Sequence, residues 1–132
     1  MPSAATTLER PPIVLCESDV ERLSTLALAM EGASKAAGLL LDEIERADVR
    51  PDASLPADVV RMHSTVAFQD DTHGAARTVQ LVYPHEADIA AGKISVLTPV
   101  GAGLIGLSPG QSIVWPDRDG RERPLRILSV SR

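Results

Sequence analysis

The chain has 132 residues and a net charge of −5, and its composition, 44% hydrophobic and 23% charged, is that of a globular protein. Aromatic residues make up only 2%. The predicted core is therefore aliphatic, and an aromatic platform for stacking RNA bases is not expected. Residues 1–58 contain 11 acidic and 5 basic residues, and residues 59–132 contain 7 and 8. Since duplex binding needs a basic face that neutralises phosphates, direct nucleic-acid contact is not expected.

The N-terminal residues 1–11 are predicted to form a disordered leader, because they are polar and contain proline. They do not have the pattern of a signal peptide, and no apolar run is long enough to span a membrane. We therefore expect a cytoplasmic protein. Cys16 is the only cysteine, and its apolar neighbours predict a buried thiol rather than a reactive one.

Residues 12–49 are predicted to form a short antiparallel helical hairpin, a small coiled coil. The first helix is expected to start at Ser18 or Asp19, with Glu21 completing a capping box. One apolar stripe then recurs at helical spacing through Val20, Leu23, Ala27 and Met30.

The second helix of the hairpin is predicted over residues 35–47. Gly32 is expected to end the first helix and Ser34 to cap the second. The inner face is predicted to contain Ala36, Leu39, Leu40 and Ile44, and the solvent face Asp42, Glu43, Glu45 and Arg46.

A linker over residues 50–58, marked by two prolines, precedes a β domain over residues 59–132. Alternating apolar and polar residues predict strands at 65–69, 77–83, 94–97, 112–115 and 125–130. Turn signals at 71–74 and 117–120 favour hairpins, and residues 100–107 predict one short, glycine-rich helix packed on the sheet. The predicted fold class is α+β: a helical hairpin followed by a twisted antiparallel sheet with one helix.

Glycines 101, 103 and 106 fit the spacing G-x-G-x-x-G of dinucleotide-binding loops. That motif opens a long crossover helix in a βαβ unit, whereas prolines at 99 and 109 restrict this segment. The glycines are better explained by close packing of the short helix on the sheet. No nucleophile has a base at an interpretable spacing, so we predict no catalytic residue, no metal site and no cofactor.

The predicted hairpin tip consists of Glu31, Gly32, Ser34 and Lys35. A tip that delivered a divalent cation to a catalytic centre would need two carboxylates, because one acid with water ligands holds such an ion poorly. One acid beside one lysine makes a poor metal pair.

Four segments resemble the Gre family of transcription elongation factors, and within it the Rnk branch, named as regulators of nucleoside diphosphate kinase. They are residues 55–62 (LPADVVRM), 81–84 (LVYP), 94–107 (ISVLTPVGAGLIGL) and 109–113 (PGQSI). The resemblance extends over about residues 12–130 and is most specific in the C-terminal domain.

The resemblance implies an FKBP-like C-terminal domain without isomerase activity. That domain would dock on RNA polymerase at the rim of the secondary channel, with the hairpin pointing into the channel. It implies docking through Leu97, Thr98, Pro99 and Val100; Thr98 and Pro99 keep the end of the family pattern, whereas Leu97 replaces an acid.

The family's cleavage factors have a long coiled coil with two acids at its tip. The shorter arm and single-acid tip instead imply a non-catalytic regulator. The expected partner is RNA polymerase, with DNA contacted only through it, and a monomer is favoured. Three alternatives remain: a cleavage factor using Glu31, a prolyl isomerase, and an adaptor for another partner such as nucleoside diphosphate kinase.

Overall fold

The computed structural model describes residues 11–69, 76–116 and 121–131. Most of the predicted leader and the predicted turns at 71–74 and 117–120 lie outside these ranges. The helices and strands, in chain order, are β1 (Val14–Cys16), α1 (Glu17–Met30), α2 (Lys35–Arg46), β2 (Asp48–Arg50), β3 (Thr65–Gln69), β4 (Arg77–Val82), β5 (Lys93–Ser95), α3 (Pro99–Leu104), β6 (Ser112–Pro116) and β7 (Glu122–Ser131).

The predicted α+β class is confirmed: a helical hairpin, α1 and α2, precedes a five-stranded sheet with one short helix, α3. The strand order in that sheet is β5-β4-β3-β7-β6. Neighbouring strands are antiparallel except for β4 and β5, which are parallel with Leu81 opposite Ile94.

The prediction of a wholly antiparallel sheet is therefore wrong in this one pairing. Between β4 and β5, two short 3-10 turns at Pro84–Glu86 and Ile89–Ala91 return the chain to the same end of β4. Such a return is what a parallel neighbour requires.

A small parallel pair of strands, which the sequence pattern does not indicate, closes the base of the hairpin. Val14 lies opposite Asp48 and Cys16 opposite Arg50. The N–H of Val14 also donates to the carbonyl of Gly106 at 3.2 Å, so β1 lies between β2 and the segment that follows α3. The helical hairpin is thereby fixed at its base to the β domain.

One hydrophobic cluster joins the hairpin to the sheet. Leu23 and Leu40, from the two hairpin helices, belong to the same buried cluster as Phe68 and Trp115 from the sheet. Cys16 is fully buried, as predicted. In the predicted stripe of α1, Leu23 and Ala27 are buried and Met30 is 37% exposed.

The first helix starts earlier than predicted, at Glu17, and the predicted capping box does not form. Cys16 occupies the N-cap position and makes no side-chain cap. The hydroxyl of Ser18 instead donates to Asp52 at 2.5 Å, and Asp19 is buried. Because both side chains bind partners distant in sequence, neither caps the N-terminus of α1.

Glu43 was predicted to face solvent but is 1% exposed. Its carboxylate receives two hydrogen bonds from Arg46, at 2.9 and 2.7 Å. Arg46 also donates to the carbonyl of Pro11 at 2.6 Å. A charge this deeply buried is tolerated because it is paired and hydrogen-bonded.

The glycines of the G-x-G-x-x-G string allow close packing, as predicted. A Cβ on Gly101 would meet the carbonyl oxygen of Ser95, and one on Gly103 would lie 2.9 Å from the Trp115 ring. Gly106 has a φ of +81° and approaches Ile13. Within the described residues, no helix is long and apolar enough to cross a membrane.

Candidate functional site

An open groove of about 730 Å³ lies between the hairpin tip and residues 97–100, which are called the 97–100 loop although the last two of them begin α3. The hairpin contributes Glu31, Ser34, Lys35, Ala36, Gly38, Leu39, Leu41 and Asp42, and the β domain contributes Leu97, Pro99 and Pro116. Two sets of residues singled out separately in the sequence, the tip and the 97–100 loop, therefore line one surface.

The 97–100 loop is held by hydrogen bonds within the domain. The N–H of Leu97 donates to the hydroxyl of Ser95 at 3.0 Å. The hydroxyl of Thr98 donates to the Ser95 carbonyl at 2.7 Å and accepts from the N–H of Gly101 at 3.1 Å, which caps α3. The ring N–H of Trp115 donates to the carbonyl of Pro99 at 2.6 Å.

These bonds leave mainly apolar surface for a partner. The Thr98 hydroxyl is engaged internally as donor and acceptor, whereas Leu97, Pro99 and Val100 are all half-buried. A partner at this loop would meet apolar side chains on a rigid support.

The hairpin tip is a tight turn. The N–H groups of Ala33 and Ser34 both donate to the carbonyl of Met30, at 3.0 and 3.1 Å. Gly32 has a φ of +87°, which glycine adopts without strain. The Ser34 hydroxyl accepts from the N–H of Ala37 at 3.3 Å and caps α2, as predicted.

The charges around the groove are mixed. Glu31, Lys35 and Asp42 are exposed, and all three line it. Across the part of the chain that the structure describes, no group of three His, Cys, Asp or Glu side chains is placed to hold a metal ion.

Three of the four predicted tip residues line the groove, namely Glu31, Ser34 and Lys35; from the loop, Leu97 and Pro99 do so. Gly32, Thr98 and Val100 are not among the lining residues. Whether any of them contacts a partner stays a prediction.

Six groove residues were not predicted from the sequence, among them Leu39, Asp42 and Pro116. The signal for the first two was present, because positions 35, 39 and 42 repeat at helical spacing and share one face of α2. Pro116 is the last residue of β6, and only the folded sheet places it beside the loop.

A second polar cluster, at the base of the hairpin, joins α1 to the β domain. The carboxylate of Asp19 accepts from the N–H of Met62 at 3.0 Å and lies 3.9 Å from the Arg61 guanidinium. Burial and the nearby charge of Asp19 raise the pKa of Tyr83, while Arg22 opposes the shift. This cluster holds the two parts of the fold together.

His63, next to this cluster, adopts a left-handed conformation with a φ of +73°. Its N–H donates to the carbonyl of Leu81 at 2.6 Å, and its ring lies 2.8 Å from the Glu86 carboxylate. Hydrogen bonds from His63 and from the N–H of Tyr83 lower the pKa of Glu86. These contacts hold a backbone conformation that is uncommon for a residue with a side chain.

Comparisons with known proteins place this fold in a family. A family model described as the C-terminal part of the transcription elongation factors GreA/GreB matches residues 55–132, and one described as the Rnk N-terminus matches residues 11–49. The "Regulator of nucleoside diphosphate kinase" of Escherichia coli strain K12 is 35% identical over 124 residues, which cover 93% of this chain and 91% of that protein.

Two further relatives carry the Gre name. The transcription elongation factor GreA of Rhodospirillum rubrum is 43% identical over 74 residues, 56% of this chain and 47% of that protein, so the match spans about half of its length. The structure titled "Prokaryotic transcription elongation factor GreA/GreB from Nitrosomonas europaea" is 35% identical, with a TM-score of 0.73 and coverage of 93% of this chain and all of the other. The chain thus belongs to the GreA/GreB family of transcription elongation factors, in its Rnk branch, and is a Gre-like, transcription-related regulator.

Proposed function

We propose that this protein binds RNA polymerase at the rim of the secondary channel and modulates transcription without catalysing a reaction. The 97–100 loop makes the primary contact, and the protein competes there with the Gre cleavage factors. Family membership supports the choice of partner.

The observation that carries this proposal is the groove shared by the hairpin tip and the 97–100 loop. Ala36, Ala37 and Leu40 of α2 are buried, and α2 packs against α3. The tip therefore remains beside the surface proposed to dock, rather than extending far from it.

The dimensions of the hairpin support a role without chemistry. With 14 residues in α1 and 12 in α2, each arm is about 20 Å long at ~1.5 Å per residue. Such an arm is too short to reach a deeply buried active site. Glu31 is the one acid between Met30 and Lys35, and a single carboxylate holds a divalent cation poorly.

Transcript cleavage in stalled elongation complexes tests the proposal. We expect the protein alone to leave the RNA length unchanged, and increasing amounts of it to slow cleavage stimulated by a Gre factor. The Pro99→Asp variant should lose this inhibition. Shortening of the RNA by the protein alone would instead identify a cleavage factor.

A second candidate function is that of an adaptor for nucleoside diphosphate kinase. The name of the Escherichia coli relative favours it. Binding of the purified protein to that kinase, measured by calorimetry and unchanged in the Pro99→Asp variant, would support this candidate and a surface outside the groove.

A further inference from the structure

We infer that the polymerase element occupying the groove is an apolar protein segment flanked by basic side chains. The hairpin tip then forms one wall of the docking site instead of acting as a probe inside the channel. This inference rests on the proposed function, since it names the chemistry of the partner at the same surface.

The apolar part of the groove is shared between the two halves of the fold. Leu39 lies on the hairpin side, and Leu97, Pro99 and Pro116 lie on the side of the β domain. All four are half-buried, so a partner that covers them would remove their remaining apolar surface from water. Burial of that kind is the main driving force for most protein association.

The charged part of the groove selects for a cationic partner. Among the described residues that line it, Glu31 and Asp42 are acidic and Lys35 is the one base. The hairpin as a whole, residues 12–49, contains 8 acidic and 3 basic residues. Complementary charge fixes the register of a docking segment and disfavours wrong partners.

The same charges argue against nucleic acid in the groove. A phosphate backbone needs lysines and arginines to release its counterions, whereas Glu31 and Asp42 would repel it. The groove is also open to solvent, unlike a pocket that encloses most of a small ligand. An apolar groove of this form suits an amphipathic protein segment laid along it.

Opposite charge changes at two groove positions test the inference. The readout is equilibrium binding of the full-length protein to core RNA polymerase at low and high salt. Asp42→Lys should weaken binding about fivefold and Lys35→Glu should tighten it by a similar factor. Both differences should shrink at ~0.5 M salt, because screening suppresses exposed charge pairs.

Glu45→Lys is the matched control. Glu45 is an exposed acid on the same helix, three positions from Asp42, and it does not line the groove. It receives the same change in net charge, so an effect confined to Asp42→Lys reports a local contact.

Lys35→Glu adds an acid to the first turn of α2, where the helix dipole favours it, so weakened binding in that variant cannot be attributed to a damaged helix.

The outcomes separate this inference from the proposed function. If Asp42→Lys and Lys35→Glu behave like Glu45→Lys while Pro99→Asp still abolishes binding, the inference is wrong and the docking proposal stands. If Asp42→Lys tightens binding, the occupant is anionic and the inference is overturned. If the unmodified protein does not bind at micromolar concentration, both fail.

Discussion

The carboxylate of Asp19 in the first helix accepts a hydrogen bond from the backbone N–H of Met62, at 3.0 Å and 43 positions along the chain. Asp19 is 2% exposed. This bond joins the hairpin to the start of the β domain, so one buried side chain helps to fix the orientation of the hairpin, beside the β1–β2 pair and the shared hydrophobic cluster.

Replacing Asp19 with alanine should therefore destabilise the fold. The N–H of Met62 would lose its acceptor in a buried position, which costs about 1–3 kcal/mol of the free energy of unfolding. Asp19→Asn keeps an acceptor oxygen and should cost less. Urea denaturation of both variants measures the difference, with exposed Glu21→Ala as a control near zero; equal stability of Asp19→Ala and the control would contradict this account.

The hydrogen bonds between Asp52 and Ser18 predict a dependence of stability on pH. The Ser18 hydroxyl and N–H donate to the Asp52 carboxylate at 2.5 and 3.0 Å, and they lower its pKa below the ordinary value of 3.8. A carboxyl group whose pKa is lower in the folded state stabilises the fold above its unfolded pKa, and this stabilisation disappears as the pH falls through the folded value.

The difference in the free energy of unfolding between the unmodified protein and Asp52→Ala should accordingly be constant near neutral pH. It should become smaller as the pH falls below 3.8. Denaturation curves over an acid pH series check this. Ser18→Ala, which removes the hydroxyl donor, should also reduce the pH dependence. A difference that stays constant through the acid range would show that the Asp52 hydrogen bonds contribute nothing.

Gly101 and Gly38 predict opposite effects of the same substitution. In Gly101→Ala the new Cβ would meet the backbone of Ser95 and Val96, which cannot move aside as a flexible side chain can. We expect a loss of about 1–3 kcal/mol. Around Gly38, in the interior of α2, nothing lies within 4 Å of the added atom, so Gly38→Ala should stabilise by about 0.5–1 kcal/mol. Thermal denaturation distinguishes the two, and destabilisation by both would contradict the packing described.

The Thr98 hydroxyl caps α3. Thr98→Val removes the acceptor of the Gly101 N–H and should cost about 1 kcal/mol of stability. Thr98→Ser keeps the hydroxyl and should preserve both stability and polymerase binding. Loss of binding in a stable Thr98→Ser variant would instead point to a direct contact through the Thr98 methyl group.

The regular elements were predictable because their patterns are strong. The strand at 65–69 alternates buried and half-buried residues as predicted, and both hairpin helices carry apolar residues at helical spacing. Ser34 caps α2 as expected because its bond to Ala37 is local. Patterns within one element thus determined most of the fold.

Features that depend on distant partners were not predictable in this way. The strands β1 and β2 have only three residues each, too few for a periodic signal. Burial of Glu43 depends on Arg46 and the carbonyl of Pro11, and the environment of Asp19 depends on Met62. Long-range hydrogen bonds of this kind override local preference.

The sequence predicted part of the candidate site, namely its residues in the tip and the 97–100 loop, but not how these residues lie relative to one another. Nothing in the sequence indicated that Glu31 and Pro99 line one groove. That proximity follows from the packing of α2 against α3, which helical periodicity alone does not specify.

Equilibrium binding to core RNA polymerase, with and without a Gre cleavage factor as competitor, tests the central claim most directly. Pro99→Asp should abolish binding, because it places a charge in the apolar part of the groove; an acid at this first position of α3 is compatible with the helix. Pro109→Asp, at an exposed proline outside the groove, is the matched control and should bind normally. The account predicts saturable binding that the competitor displaces and that the Pro99→Asp variant loses. It would be contradicted by absence of binding at micromolar concentration, or by binding that neither the competitor nor the Pro99→Asp substitution weakens.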